Sequence, residues 1–144
     1  MDLQERVIAE ARSWIGTPYR HQASLKGVGC DCLGLVRGVW RGLYGGEPEA
    51  LKPYSADWAE AGGGDDLIDA ARRHFMEKAK ADMAAGDVIL FRWKPSHAAK
   101  HAGILVSDQS FIHAYEGHAV MISALVPQWR SRIAGAFSFM PTKD

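Results

Sequence analysis

Two cysteines stand one residue apart in the segment GVGCDCLGLVRGVW, and the 144-residue sequence contains no others. A thiol in such a segment can form a disulfide, bind a metal ion, act as a nucleophile or simply pack in the core. A disulfide between Cys30 and Cys32 is not expected, because a bridge between residues so close in sequence closes no useful loop. Besides plain packing, the remaining chemistry is a metal site or a nucleophilic thiol.

A zinc site is one alternative, because Cys30, Cys32, His101 and His113 amount to four candidate ligands. Structural zinc sites favour about two to four residues between paired cysteines, whereas these two are separated by one. His97 and His101 have the spacing of a helical zinc pair, but the glutamate that HEXXH chemistry needs after the first histidine is absent. We therefore expect no metal ion and no other cofactor.

The segment that begins at Cys32 has the pattern of a helix whose first turn carries the thiol. Asp31 is suited to cap the helix, Gly45 and Gly46 are suited to end it, and apolar residues recur at spacings of three and four. These apolar residues are Leu35, Val36, Val39, Trp40 and Leu43. A helix N-terminus lowers the pKa of a thiol, so we expect an activated thiolate at Cys32 and none at Cys30.

A nucleophilic cysteine needs a base and a residue that orients the base, and two histidines are candidates. His101 opens the strand-like run HAGILV, and His113 lies in the next run, SFIHAY. If the intervening SDQ is a three-residue loop, Val106 lies opposite Ser110 and Gly103 opposite His113. The two histidines are then diagonal neighbours on one face, whereas a four-residue loop would place them on opposite faces.

The elements that must position these side chains change in type along the chain. Helical periodicity covers residues 2–15, the segment from Cys32, and about 66–80, and a long loop of about 45–65 separates the last two helices. Five strand-like runs follow: DVILFRW, HAGILV, SFIHAY, AVMISAL and IAGAFSFM. Helices first and strands later predict an α+β fold with a central antiparallel sheet, in a single domain of residues 1–144.

Three glycines fall four residues apart on the helix from Cys32, where each would cost about 1 kcal/mol relative to alanine. We expect that Gly34, Gly38 and Gly42 form a flat ridge where another element approaches closely, rather than merely a weak helix.

Charge and hydropathy exclude several classes of partner. Seventeen Lys and Arg balance seventeen Asp and Glu, so no overall field attracts the chain to nucleic acid or to an anionic membrane. The opening residues MDLQERVIAEARSWIG carry charges where a signal peptide is apolar, and no later segment approaches the roughly 18 apolar residues of a membrane-spanning helix. We expect a chain made in the cytoplasm without a signal peptide and not inserted in a membrane.

Four segments in order, GTPY, DCLGLV, GDVILF, and HAGILV with FIHA, resemble the NlpC-type cell-wall peptidases, papain-like cysteine peptidases of bacteria and phages. The resemblance implies a papain-like fold in which Cys32 is the nucleophile, His101 the general base and then acid, and His113 the residue that orients His101. It also implies that Tyr19 holds the substrate or the oxyanion, and that Asp31 lies near the substrate amine. Such enzymes cleave the amide between γ-D-glutamate and a diamino acid in peptidoglycan stem peptides.

The sequence departs from the family pattern at two points: Leu33 stands where serine usually follows the nucleophile, and RHQASLKGVG replaces the frequent WGG. The GCDCLGLVRGVW variant is most similar to phage and phage-derived members encoded among tail genes. This likeness implies a phage-like tail or baseplate partner, reached through Tyr54 and Trp58 of the long loop, and action on the periplasmic wall.

Two alternatives stay open. One is an N-acetylmuramoyl-L-alanine amidase or an acyltransferase on the same fold. The other is a structural tail or baseplate subunit whose triad no longer turns over, which the two departures from the family pattern favour.

Overall fold

The computed structural model describes residues 1–47 and 65–141. The predicted loop of about 45–65, with Tyr54 and Trp58, lies outside these residues except at its ends. The helices of the described part are α1 (Leu3–Arg12), α2 (Cys32–Tyr44), α3 (Asp66–His74) and the single turn α4 (Pro127–Arg130). The strands are β1 (Ser24–Leu25), β2 (Gly29–Cys30), β3 (Met76–Lys78), β4 (Val88–Phe91), β5 (His101–Ser107), β6 (Ser110–His113), β7 (Met121–Ala124) and β8 (Ile133–Ser138).

Six strands form one sheet in the order β3-β8-β4-β5-β6-β7, and every neighbouring pair is antiparallel. Strands β1 and β2 form a separate short hairpin just before α2. Buried side chains cover both faces of the large sheet, since successive residues of β4 alternate between two apolar clusters. The α+β architecture with a central antiparallel sheet is as the sequence predicts.

Helix α1 is shorter than the predicted 2–15. Asp2 caps it by accepting a hydrogen bond from the Glu5 N–H at 2.8 Å, and the helix ends at Arg12. The chain then turns toward Gly16, which has a positive φ of 92° and donates its N–H to the Val120 carbonyl. Ile15 consequently leaves the predicted apolar face and is 45% exposed.

Helix α3 ends at His74, six residues before the predicted end near residue 80. Residues 76–78 pair instead with the edge of β8, with Met76 opposite Ser138 and Lys78 opposite Ala136. Backbone hydrogen bonds to a strand that is distant in sequence override the local helical periodicity there. The sheet therefore gains an edge strand that the sequence pattern does not reveal.

The glycine ridge of α2 lies where other elements approach, as predicted. A Cβ at Gly38 would overlap the indole of Trp14, and one at Gly34 would overlap the backbone carbonyl of Ala23. At Gly42 the neighbour is the carboxylate end of Glu10. The absence of side chains on this ridge lets α1 and the loop before β1 pack directly on α2. Gly45, with φ 86°, ends the helix in the left-handed conformation that glycine favours.

Among residues 1–47 and 65–141, the helices are all too short or too polar to cross a membrane.

Candidate active site

The N-terminus of α2 is fixed by Asp31, which caps it as predicted. One carboxylate oxygen of this buried side chain accepts the Gly34 N–H, and the other accepts the Gln22 N–H, both at 2.7 Å. Gln22 has a positive φ of 65°, which the second bond helps to hold. Asp31 therefore joins the helix start to the preceding loop and places Cys32 as the first residue of α2.

Tyr19 lies beside this helix start because its strand segment is bound to the backbone of Cys30. The Cys30 N–H donates to the Pro18 carbonyl, and the Cys30 carbonyl accepts the Arg20 N–H, both at 3.0 Å. The Cys30 side chain is fully buried, so this residue serves packing and backbone pairing. Burial raises the pKa of Tyr19, with smaller contributions from the charges of Cys32 and Asp31, so the hydroxyl remains a proton donor.

Cys32 is 8% exposed, and its thiol donates to the Lys100 carbonyl with a sulfur to oxygen distance of 3.8 Å. Burial, together with the smaller effect of the Asp31 charge, raises its pKa to about 12, although backbone N–H groups of Ala102, Leu33 and Cys32 itself act in the opposite direction. The expectation of a lowered pKa is therefore wrong for the resting state. The helix N-terminus is present, but desolvation outweighs it.

His101 and His113 are joined by a hydrogen bond of 2.8 Å between His101 Nε2 and His113 Nδ1. The pairing of Ile104 with Ile112, continued by one residue, puts Gly103 opposite His113, which is the predicted register. The loop itself differs from the prediction. Ser107, not Val106, lies opposite Ser110, because a β-bulge shifts the register after Leu105. The bulge stays near the turn and leaves the histidines on one face.

Both histidines are buried, with exposed fractions of 5% for His101 and 1% for His113. Burial lowers the pKa of His101 to about 3, and the His113 charge adds to this effect. Burial likewise lowers the pKa of His113 to about 4, with a contribution from His118. Both rings are therefore neutral near pH 7, so His101 can accept a proton. Its second ring nitrogen, Nδ1, is the one that the bond to His113 leaves unused.

Aromatic side chains surround His101. Its ring centroid lies 5.5 Å from Trp93 and 5.6 Å from Trp129, both in stacked orientation. Phe91 and Tyr115 lie 5.7 and 5.8 Å away. These contacts exclude water from the ring and explain the desolvation that lowers its pKa.

Cys32 and His101 line one cavity of about 420 Å³, together with Tyr19 and Asp31. The structure thus brings four of the five predicted site residues to one cavity, and His113 lies behind His101. The sequence reasoning missed other lining residues: His21, Trp93, Lys100, Tyr115 and Glu116. Most of them are near neighbours in sequence of the predicted residues, and this proximity is the signal that could have found them.

Within the described ranges, His, Cys, Asp and Glu side chains nowhere gather in a group of three or more that could hold a metal ion. The four candidate zinc ligands of the sequence are accordingly not assembled into one cluster. The two cysteines are free thiols.

The fold is that of a known class of domain. The chain belongs to the NlpC/P60 family, whose family model matches residues 16–137. The match covers all five predicted site residues, and it confirms the resemblance at the level of the family.

Curated relatives extend beyond the length of this chain. The Murein DD-endopeptidase MepS/Murein LD-carboxypeptidase of Escherichia coli (strain K12) is 27% identical over 133 residues, which are 92% of this chain and 61% of the relative. The Gamma-DL-glutamyl hydrolase of Bacillus subtilis (strain 168) is 32% identical over 135 residues, which are 92% of this chain and 29% of the relative. The chain spans about three fifths or less of these two proteins.

Solved structures share the fold. An NlpC/P60 family protein from Bacillus cereus ATCC 10987 superposes with a TM-score of 0.69 at 20% identity, covering 96% of this chain and 40% of that chain. RipD from Mycobacterium tuberculosis, described as a non-catalytic NlpC/p60 domain protein adapted to peptidoglycan binding, has a TM-score of 0.61 at 15% identity and covers 96% of this chain and 97% of that one. At these identities the likeness concerns the fold alone.

Proposed function

We propose that this protein is a cysteine endopeptidase that cleaves the amide between γ-D-glutamate and the diamino acid in peptidoglycan stem peptides. The observation that carries the proposal is that Cys32, at a helix N-terminus, shares its cavity with His101, whose Nε2 bonds to His113 at 2.8 Å. A thiol, a neutral imidazole and an orienting partner are the components of nucleophilic acyl transfer. Family membership and the name of the Bacillus subtilis relative support the choice of substrate.

The reaction begins with transfer of the Cys32 proton to Nδ1 of His101 as the sulfur attacks the γ-carbonyl carbon. The carbonyl oxygen gains the negative charge, which the Tyr19 hydroxyl and the Cys32 N–H can stabilise. The first N–H groups of a helix have no intrahelical acceptor, so the Cys32 N–H is available. His101 then protonates the leaving amine as the C–N bond breaks, which leaves a thioester.

Hydrolysis of the thioester restores the enzyme. His101 Nδ1 takes a proton from water as the oxygen attacks the thioester carbonyl, and this proton returns to the departing sulfur. The released products are a γ-D-glutamate with a free γ-carboxylate and a peptide with a new N-terminal diamino acid. No cofactor is consumed in this sequence.

The test is incubation of the wild type, Cys32→Ala and Cys30→Ala with purified peptidoglycan of the diaminopimelate type, followed by mass spectrometry of the soluble products. We expect a new N-terminal diamino acid from the wild type and from Cys30→Ala, and none from Cys32→Ala. Cleavage between D-alanine and the diamino acid would overturn the bond assignment, and a released lactyl ether would indicate the amidase. Absence of product from all three folded proteins would overturn the enzymatic proposal.

A non-catalytic wall-binding domain is the second candidate, and Leu33 at the cavity is the observation that favours it. An apolar side chain stands there where the family usually has serine, and RipD is described as a non-catalytic domain of the same fold adapted to peptidoglycan binding. Co-sedimentation with insoluble peptidoglycan distinguishes the two. If the domain is non-catalytic, the wild type and Cys32→Ala should sediment with the peptidoglycan to the same extent, and neither should release soluble fragments.

We further propose that a phage-like tail or baseplate carries the chain to the periplasmic wall after synthesis in the cytoplasm. The proposal rests on the likeness of GCDCLGLVRGVW to tail-encoded members and on the balanced charge, which provides no general attraction to the anionic wall. Mass spectrometry of particles purified from induced source cells tests it. The chain is expected at a fixed ratio to tail proteins, and its absence from intact particles would refute delivery by this route.

A further inference from the structure

Ser123 extends the pair of histidines into a row of three hydrogen-bonded side chains. His101 Nε2 lies 2.8 Å from His113 Nδ1, and His113 Nε2 lies 2.8 Å from the Ser123 hydroxyl. Both ring nitrogens of His113 are therefore engaged, one toward His101 and the other toward Ser123. The family resemblance assigns no role to this serine.

The row follows from the sheet geometry. His101, His113 and Ser123 belong to the adjacent strands β5, β6 and β7. Strand β7 places Met121 opposite His113 and Ser123 opposite Phe111, so Ser123 is a diagonal neighbour of His113 on the same face. The step from His101 to His113 is also diagonal. The row of hydrogen-bonded side chains therefore runs from the cavity, at His101, to the edge strand of the sheet, at Ser123, through two diagonal contacts.

The direction of hydrogen bonding along this row decides whether His101 can act as a base. If His113 donates Nε2–H to Ser123, its Nδ1 accepts Nε2–H from His101, and His101 Nδ1 carries a free lone pair. If Ser123 instead donates to His113 Nε2, then His113 donates Nδ1–H to His101 Nε2. His101 is then protonated on Nδ1 and cannot accept the thiol proton.

We propose that Ser123 is a positioning residue, which accepts the Nε2–H of His113 and thereby fixes both histidines in the tautomers that catalysis requires. Ser123 is only half-buried, whereas the two rings are buried. The Ser123 hydroxyl can therefore donate its hydrogen bond to solvent water while its oxygen accepts the Nε2–H of His113. This inference rests on the proposed cysteine peptidase activity.

The test compares Ser123→Ala with the conservative Ser123→Thr, and Ser110→Ala serves as the matched control. Ser110 lies on β6, and its hydroxyl bonds to the Ser107 hydroxyl at 2.8 Å, away from the histidines. We expect Ser123→Ala to lower kcat about tenfold with KM unchanged, which is the effect of one lost orienting hydrogen bond. Ser123→Thr should restore kcat to near the wild-type value, and Ser110→Ala should leave it unchanged.

Nitrogen NMR of ring-labelled histidine reads the tautomers independently of activity. We expect His113 protonated at Nε2 in the wild type and in Ser123→Thr, and a mixture of tautomers in Ser123→Ala, with His113→Gln used for assignment. A wild type protonated at Nδ1 of His113 would overturn the inference. So would a loss of kcat in Ser123→Ala without a change of tautomer. If the wild type releases no wall fragments, the peptidase proposal fails, while the NMR result still decides the role of Ser123.

Discussion

At the residue scale, the protonation states of Cys32 and His101 are set mainly by burial, which disfavours the charged form of each side chain. The thiol occupies the positive end of a helix, yet burial raises its pKa to about 12, and burial lowers the pKa of His101 to about 3. Both groups are therefore neutral before substrate binds. The thiolate forms only as its proton moves to the imidazole, so the relative position of the two side chains matters more than the resting charge of either.

The pH dependence of activity follows from the lowered pKa of His101. The base must be neutral, and a pKa of about 3 keeps it neutral well below the ordinary range. We expect kcat/KM to stay nearly constant from pH 7 to pH 5.5, whereas a base of pKa 6.5 would lose about tenfold. Short assays of muropeptide cleavage, with circular dichroism to verify folding at each pH, measure this. An acid limb centred near pH 6.5 would contradict the expectation.

Cys30 offers a contrast with Cys32 in the same short segment. It is fully buried and its backbone holds Tyr19, but its thiol has no part in the proposed chemistry. Cys30→Ala should lower the free energy of unfolding by about 1 kcal/mol, a loss typical of removing one buried group of methyl size. Urea denaturation and the product assay check this. If the variant keeps its stability but loses product release, Cys30 would have a role in catalysis.

At the element scale, helix α2 matters most because it positions the thiol and packs closely through its glycines. Its start, its end and its glycine ridge are all encoded locally, by a capping aspartate, a terminal glycine and a four-residue period. The paired strands β5 and β6 were likewise predictable from their apolar runs and the short loop between them. The bulge after Leu105 was not, because it depends on how the turn closes.

Two matched glycine substitutions test the packing of α2. At Gly38 a methyl group meets the buried indole of Trp14, so Gly38→Ala should destabilise the protein by about 1–3 kcal/mol. At Gly42 the neighbour is the flexible end of Glu10, so Gly42→Ala should be neutral or stabilising by up to about 1 kcal/mol from helix propensity. Thermal unfolding of both variants provides the measurement. Equal effects would show that the indole moves away at little cost.

At the scale of the whole molecule, the two buried histidines couple folding to pH. Their pKa values in the folded protein, about 3 and about 4, lie below the ordinary 6.5. As pH falls, these histidines therefore become protonated in the unfolded chain before they do so in the folded protein. The stability that they contribute is complete above pH 6.5 and is lost as pH falls to about 4 for His113 and to about 3 for His101. Each histidine adds at most about 1.4 kcal/mol per pH unit to the slope.

Denaturant unfolding of the wild type, His101→Gln and His113→Gln between pH 7 and pH 4 tests this coupling. Each variant is expected to show a shallower loss of unfolding free energy with falling pH than the wild type, whatever its absolute stability. Parallel curves for all three proteins would mean that the histidines are not desolvated in the folded state.

The sequence by itself determined the fold class, the helix that begins at Cys32 and its capping by Asp31, and it predicted the alignment of His101 with His113 for one of two loop lengths. These features depend on interactions between near neighbours or on the two-residue period of adjacent strands, and such patterns are visible in a linear sequence. The family resemblance was specific because four matching segments, GTPY, DCLGLV, GDVILF, and HAGILV with FIHA, occur in order.

Only the tertiary structure decided the remaining features. Residues 76–78 join the sheet through β8, Ser123 of β7 bonds to His113 of β6, and aromatic side chains from separate segments desolvate His101. The tertiary structure also decided the direction in which the pKa of the Cys32 thiol shifts, because that shift is a balance between the local helix N-terminus and burial by the rest of the protein. Such quantities sum contributions from residues far apart in the chain, and no local pattern contains that sum.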